Sequence, residues 1–312
     1  MQTYLVTGGC GFIGSHLADA LLARGHAVRV LDDLSSGKRA NLQDAAELIE
    51  GDVADPATVA EMMRGVAGCF HLAAIASVER GHQDWLGTHR VNLSGTIAVL
   101  NAAREAGIPV VYASSAAVYG ENPALPLAED AATLPLSAYG ADKLACELHA
   151  RVAGLVHGVP TTGLRFFNVY GPRQDPLSPY SGVISIFCER LRAGQDVVVF
   201  GDGGQTRDFV FVADVVRALL AGLRAASCQP RVFNVCTGRA TSLLDLVAAI
   251  ADTLGVDPAI TFGPARPGDV RASLGDPTAA RVALGFDART RLQEGLASTL
   301  DLVSPSYRSP RA

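Results

Sequence analysis

Tyr139 and Lys143 lie four residues apart in the run Ser137-Ala-Tyr139-Gly-Ala-Asp-Lys143-Leu-Ala-Cys-Glu. A helix beginning near Ser137 stacks them on one face, about a turn from each other. A free phenol holds its proton to pH ~10, too high for a base at neutral pH. A nearby ammonium favours the phenolate. The pair therefore suits removal of a proton from a sugar or alcohol hydroxyl. Tyr and Lys at this spacing are also common on ordinary helix surfaces, so the elements around them must decide.

Those elements begin at the first residue. Tyr4-Leu-Val-Thr7 reads as a strand, Gly8-Gly9-Cys10-Gly11-Phe12-Ile13-Gly14 follows, and residues 15–24 read as a helix. Ala27-Val-Arg-Val-Leu31 is a second strand, ending at Asp32-Asp33, with Asp32 18 residues beyond Gly14. In this strand–helix–strand setting the glycines predict a dinucleotide loop at a helix N-terminus. Asp32 is placed to accept hydrogen bonds from the adenosine ribose and to repel a 2′-phosphate, so NAD is expected over NADP.

The alternation continues. Residues 47–50, 69–74, 109–114 and 161–167 read as strands, and 56–65 and 92–106 as helices, with Asp55 as an N-cap. This predicts an α/β fold: a Rossmann doubly wound parallel sheet followed by a smaller C-terminal α/β substrate-binding domain. The glycine loop, Asp32, Asp52-Val53, Ala73-Ala74 and Ser114-Ser115 all fall at strand carboxyl ends, where such sheets bind ligands. Small Ala73 and Ala74 leave room for a flat cofactor, or simply pack tightly. His71 reads as a satisfied core histidine.

After Phe167 the texture changes. Residues 168–182 read as loop, 183–193 as helix, and 197–212 as two short strands around a glycine turn. Helices are expected at 215–225 and 243–254, and a basic loop at 264–277. Arg207, Arg266 and Arg271 are candidate anion hooks, since arginine meets phosphate bidentately. The expected boundaries are 1–167 for the NAD-binding domain and 168–303 mainly for the substrate domain. Some segments of the second part return to the Rossmann sheet, and 304–312 is a tail.

The 312 residues are 49% hydrophobic and 18% charged, which argues against disorder. A formal net charge of −5 argues against nucleic acid or an anionic membrane as partner. Six scattered cysteines without metal spacing predict reduced thiols and no metal site. No signal core or membrane span is evident, so a soluble cytoplasmic protein is expected.

Taken in order, Thr7-Gly-Gly-Cys-Gly-Phe-Ile-Gly14, Asp32, Asp52-Val53, Ser114-Ser115-Ala-Ala-Val-Tyr119-Gly, Tyr139-x-x-x-Lys143, Arg165-Phe-Phe-Asn168-Val-Tyr-Gly171, Gly201-Asp-Gly-Gly-Gln-Thr-Arg207-Asp208 and Arg266-Pro-Gly-Asp269 form a specific pattern. The chain resembles the extended short-chain dehydrogenase/reductases, and within them the NAD-dependent nucleotide-sugar epimerases and dehydratases, over residues 1–303. Within that group it most resembles UDP-hexose 4-epimerases, including those for N-acetylated sugars. The resemblance implies Ser115, Tyr139 and Lys143 as catalytic residues. It implies Gly8, Gly11, Phe12, Ile13, Gly14, Asp32, Asp52, Val53, Ala73, Ala74, Asn92, Tyr139 and Lys143 as NAD-binding. It implies Ser115, Asn168, Arg207, Arg266, Asp269 and Ser273 as UDP-sugar-binding. Tyr139 would deprotonate the sugar 4-hydroxyl, C4 would lose hydride to tightly held NAD, and the 4-keto sugar would turn over before hydride returns. Ser115 rather than Ser114 is chosen because it lies four before Tyr119; Ser114 stays open as a helper.

Departures narrow the activity. Ala116-Ala117 stand where related 4,6-dehydratases carry an Asp-Glu pair, and where uronate decarboxylases carry a Glu. Ser273 stands four after Asp269, where some 4-epimerases place a Tyr, and leaves space for an acetamido group. UDP-GlcNAc/UDP-GalNAc interconversion is expected, with UDP-Glc/UDP-Gal as a further pair. A UDP-uronate 4-epimerase or a non-catalytic NAD sensor are the alternatives. The 92–106 and 137–156 helices resemble the family's dimer contact, so a homodimer is expected.

Overall fold

The computed structural model describes residues 1–176, 182–265 and 270–301. Its centre is a seven-stranded, all-parallel sheet. In chain order the strands are β1 (Thr3–Thr7), β2 (Ala27–Asp32), β3 (Glu47–Glu50), β4 (Cys69–His71), β5 (Val110–Ser115) and β6 (Thr161–Phe166). The spatial order is β3-β2-β1-β4-β5-β6, with one late strand beyond β6. This is the expected Rossmann sheet, and the order reverses between β1 and β4, where such sheets open a ligand crevice.

Helices cover both faces. On one side lies α1 (Phe12–Leu22). On the other are α2 (Pro56–Met62), α3 (Val78–Gln83), α4 (Trp85–His89), α5 (Gly95–Ala106) and α6 (Ala138–His157). Asp55 caps α2 by accepting from the amides of Ala57 and Thr58. The helix expected from residue 92 is longer than its sequence pattern suggests. It enters through α4 and a π-helical turn at Arg90–Ser94, which shifts the ladder just where Asn92 sits.

The second half contains β7 (Asn168–Tyr170), α7 (Val183–Arg192), β8 (Val197–Phe200), β9 (Thr206–Arg207), β10 (Phe209–Phe211) and α8 (Val212–Ala225). After these come β11 (Arg231–Val235), β12 (Thr241–Ser242), α9 (Leu243–Leu254), β13 (Ile260–Gly263), α10 (Thr278–Leu284) and α11 (Leu292–Asp301). The expected hairpin over 197–212 does not form. β8 runs parallel to β13, β9 antiparallel to β12, and β10 parallel to β7. Asp202 Oδ1 accepts from Gly204 N at 2.9 Å, and Gln205 Nε2 donates to Phe200 O at 2.7 Å, which turns the chain toward new partners. The 168–182 loop likewise contains a strand, β7. β11 pairs with β6 and completes the central sheet, while α8 packs beside α1.

Among the described residues no helix is long and apolar enough to cross a membrane, and no group of three or more His, Cys, Asp or Glu is placed to hold a metal. All six cysteines are free thiols.

Candidate active site

A cleft of about 440 Å³ runs across the carboxyl ends of the central strands. Gly8, Gly11, Phe12, Ile13, Gly14, Asp32, Val53, Ala73, Ala74, Ser115, Tyr139, Lys143 and Asn168 all line it. Residues up to 168 in the chain thus converge on one wall system, as parallel-sheet topology requires.

The glycine loop is built for close approach. Gly8 has φ +70°, and a Cβ there would lie 2.7 Å from Ala73 N. A Cβ on Gly14 would run into the Gly8 carbonyl oxygen. The bare backbone at the N-terminus of α1 is a cradle for a pyrophosphate. Asp32 stands behind it, its carboxylate accepting from Cys10 N and Leu34 N at 2.9 Å each. Burial pushes the Asp32 carboxyl up, against those two donors. These residues fit a dinucleotide: Asp32, Ser35 and Ser36 for the ribose end, the loop for the phosphates, and the small Ala73-Ala74 wall toward Tyr139.

At the other end Ser137 caps α6 by accepting from Gly140 N at 3.1 Å. Lys143 is buried and donates from Nζ to Ala113 O at 2.9 Å. Its ammonium is 5.9 Å from the Tyr139 ring centroid. Ser115 Oγ accepts from Ala117 N at 3.1 Å, which leaves its proton available to the cleft. Ser114 also borders the cleft but is buried, and its Oγ is taken up by Glu147, donating to Oε1 at 2.5 Å.

His71 is a core histidine with both ring nitrogens satisfied. Thr7 Oγ1 accepts from the amides of Leu72 and Ala73, so its own proton goes to His71 Nδ1 at 2.8 Å. Nε2 then donates to Thr96 Oγ1 at 3.0 Å, and Thr96 to Asn92 O at 2.6 Å. Burial, with Lys143 adding to it, brings the imidazole down to about 3, so it is neutral.

Not every expected residue reaches the cleft. Asp52 turns its carboxylate to Ala54 N and to the Arg90 guanidinium at 2.5 Å, leaving Gly51 and Val53 on the wall. Asn92 is buried, and its amide is used on Ile75, accepting from N at 2.8 Å and donating to O at 3.2 Å. Arg207, on β9, and Ser273, in a segment that lies beside β9, stand together rather than on this wall. Arg207 NH1 and Ser273 N both donate to Thr206 O. Arg271 forks onto Asp202 at 2.6 and 3.0 Å, holding that carboxyl down at about 2. Arg266 and Asp269 lie outside the described residues.

Two segments of the rim were not anticipated. Residues 35–41 contribute Ser35, Ser36, Lys38 and Asn41, and the segment after β7 contributes Arg173, Gln174 and Asp175. They are fastened across the cleft. Lys38 pairs with Asp175 at 2.5 Å, Arg173 with Asp19 at 2.6 Å, and His16 Nε2 meets Pro172 O at 2.9 Å. The serine–glycine run after β2 carried the only local signal for the first segment.

Fold and site define a Rossmann-fold dinucleotide enzyme whose cleft wall carries Ser115, Tyr139 and Lys143. The model of the NAD dependent epimerase/dehydratase family matches residues 4–236. A UDP-glucose 4-epimerase of Mycolicibacterium smegmatis is 43% identical over 307 residues, 95% of this chain and 97% of that protein. The solved structure of UDP-glucose 4-epimerase from Thermotoga maritima with UDP-glucose superposes with a TM-score of 0.93 at 37% identity, covering 96% of this chain and 98% of that one. That of UDP-N-acetylglucosamine 4-epimerase from Methanobrevibacter ruminantium, in complex with UDP-N-acetylmuramic acid, gives 0.92 at 35%, covering 97% and 98%. The chain belongs to the NAD dependent epimerase/dehydratase family, and NAD is its cofactor.

Proposed function

We propose that this enzyme inverts C4 of a UDP-hexose through a 4-keto intermediate, acting on the UDP-GlcNAc/UDP-GalNAc pair and also on UDP-Glc/UDP-Gal. The observation that carries this is the wall itself: Ser115, Tyr139 and Lys143 line one cleft with the glycine loop. Ala116 and Ala117 beside Ser115 supply no acid or base for dehydration. NAD, when bound, supplies the hydride acceptor and donor. Tyr139 takes the proton of the 4-hydroxyl and later returns it to the ketone oxygen. Ser115 donates a hydrogen bond to that oxygen, and Lys143 sets a positive charge where negative charge develops.

In this reading Gly8, Gly11, Phe12, Ile13, Gly14, Asp32, Val53, Ala73 and Ala74 hold the cofactor. Asp52 and Asn92 support it through the wall segments that they brace. Asn168, Arg207, Arg266 and Asp269 grip UDP and sugar, with Ser273 beside the 2-substituent. Residues 1–167 serve the cofactor and 168–303 mainly the substrate. A second copy of the chain covers the apolar stripe on α5 and α6, in which Ile97, Leu148, Val152, Leu155 and Val156 are exposed. The enzyme works in the cytoplasm as that homodimer.

The deciding experiment gives the purified protein UDP-GlcNAc, UDP-Glc or UDP-GlcA without added reductant. Formation of UDP-GalNAc is expected. Turnover of UDP-GlcA alone would make it a uronate 4-epimerase. Bound NAD with no turnover would make it a sensor.

A further inference from the structure

We propose that the buried Glu147–Arg165 ion pair is a positioning device that sets Ser115 against Tyr139. This rests on the catalytic reading above. Tyr139, Lys143 and Glu147 form one stripe on α6, four residues apart each time. The first two reach the cleft. Glu147 reaches under it and takes the Ser114 hydroxyl at 2.5 Å. Successive residues of a strand point to opposite faces, so the contact that holds Ser114 aims its neighbour Ser115 into the cleft. Lys143 grips the same strand one residue earlier, at Ala113 O. Three consecutive residues at the end of β5 are thus governed by the helix that carries Tyr139.

Arg165 completes the brace. It faces Ser114 in the β5–β6 register and meets Glu147 through Nε at 2.9 Å and NH2 at 2.7 Å. Both side chains are 7% exposed. NH1 donates to Tyr119 Oη at 2.8 Å and to Glu129 O at 2.9 Å. The guanidinium carbon also lies 4.8 Å from the Tyr119 ring centroid. Tyr119 Oη donates to Asn234 Oδ1 at 2.7 Å, which carries the chain of bonds into β11. Each Glu147 oxygen has a partner, and a fully satisfied buried network fixes geometry.

Stability alone does not account for this pair. A buried ion pair typically breaks even with, or loses to, apolar side chains of similar volume. What apolar side chains do not supply is direction. A misplacement of ~1 Å at a reacting group costs on the order of 10²-fold in rate.

Two sets of variants test the proposal on NAD-loaded protein. Glu147→Met with Arg165→Met removes both charges at similar length. Ser114→Ala removes only the contact from the pair to the strand. The readouts are kcat and KM for the UDP-sugar, the pH profile of kcat, NAD affinity by calorimetry and the unfolding midpoint. The expected result is kcat lower by ~10–100-fold in the double variant and several-fold in Ser114→Ala. KM and NAD affinity stay within about twofold of the parent, and the limbs of the pH profile move. A kcat per folded, NAD-bound site equal to that of the parent, in either protein, overturns the proposal. If the double variant does not fold, Ser114→Ala decides by itself. A parent that turns over no UDP-sugar instead overturns the catalytic reading, and this inference with it.

Discussion

Lys143 donates to the carbonyl oxygen of Ala113 at 2.9 Å, so its ammonium is fixed two residues before Ser115 on the strand that ends at the cleft. The lysine is therefore not a mobile surface charge. It is locked between β5 and the ring of Tyr139, and the three catalytic candidates form one rigid unit.

From that unit follows the effect of Tyr139→Phe. The change removes the proton acceptor and almost no volume. Turnover should fall by ~10²–10⁴-fold, the usual contribution of an acid–base group. Calorimetry should show NAD and UDP-sugar binding close to that of the parent. An unimpaired Phe variant would place the base elsewhere.

Cofactor choice should depend on pH through Asp32. Burial raises this carboxyl, so it takes up a proton above the ordinary carboxylate range of ~3.9. Its repulsion of a 2′-phosphate is present above that raised pKa and lost as pH falls through it. The preference for NAD over NADP should be widest at neutral pH and shrink on acidification. In Asp32→Asn it should be smaller and nearly flat. Equal affinities of the parent for both cofactors at pH 7.5 would contradict this.

His71 should contribute an acid-sensitive part of stability. Its folded pKa is depressed to about 3 against 6.5 for an ordinary imidazole. The unfolded chain binds the extra proton between these values. The stabilisation is whole above pH 6.5 and drains as pH falls toward 3, by ~1.4 kcal/mol per unit for one proton. Urea unfolding of the parent and of His71→Asn between pH 7.5 and 4.5 isolates the effect. The stability difference between the two should shrink with acidification, and a constant difference would refute the assignment.

The stripe on α5 and α6 gives the assembly test. Val152→Asp places a carboxylate on the exposed apolar face without touching the sheet. Light scattering at micromolar concentration should show a dimer for the parent and a monomer for the variant, with unchanged circular dichroism. A monomeric parent would remove the second copy from the proposal.

Ser273 gives the specificity test. Its amide is held on Thr206 O at 3.1 Å, beside Arg207, so its place along β9 is set by the backbone. If Ser273 lies beside the sugar as proposed, Ser273→Tyr adds a ring where an acetamido group would turn, and overpacking of this kind costs ~1–3 kcal/mol. UDP-GlcNAc epimerisation should fall by roughly ten- to a hundredfold while UDP-Glc epimerisation is spared. A uniform loss on both pairs, or none, would show that Ser273 does not set specificity.

What was legible in the sequence was local. The strand, glycine turn and helix at the start, the cap at Asp55 and the Tyr139–Lys143 stripe each announce themselves within a few residues. What was not legible depends on distant partners. Arg231-Val-Phe-Asn-Val235 is a short run with nothing to say that it lies against β6. The 197–212 segment looks like a hairpin in the sequence, but its three strands find partners at 260–263, 241–242 and 168–170 instead of one another. Asp52 carries the right residue type at a strand end, yet Arg90, brought in by a π-helical turn, claims its carboxylate. The Lys38–Asp175 rim bond joins residues 137 apart.

The place of β11 at the edge of the sheet also governs how this protein is made. The ribosome delivers β6 well before β11, so the outer side of β6 stays bare until residue 235 has emerged. During that interval the nascent chain carries an open row of backbone donors and acceptors, the feature by which strands recruit foreign chains. The cofactor half therefore cannot close on its own as a finished N-terminal product. The second half is threaded through it, an insertion between two neighbouring strands and not an appendage, and a chain cut at residue 167 would be left with the bare edge of β6.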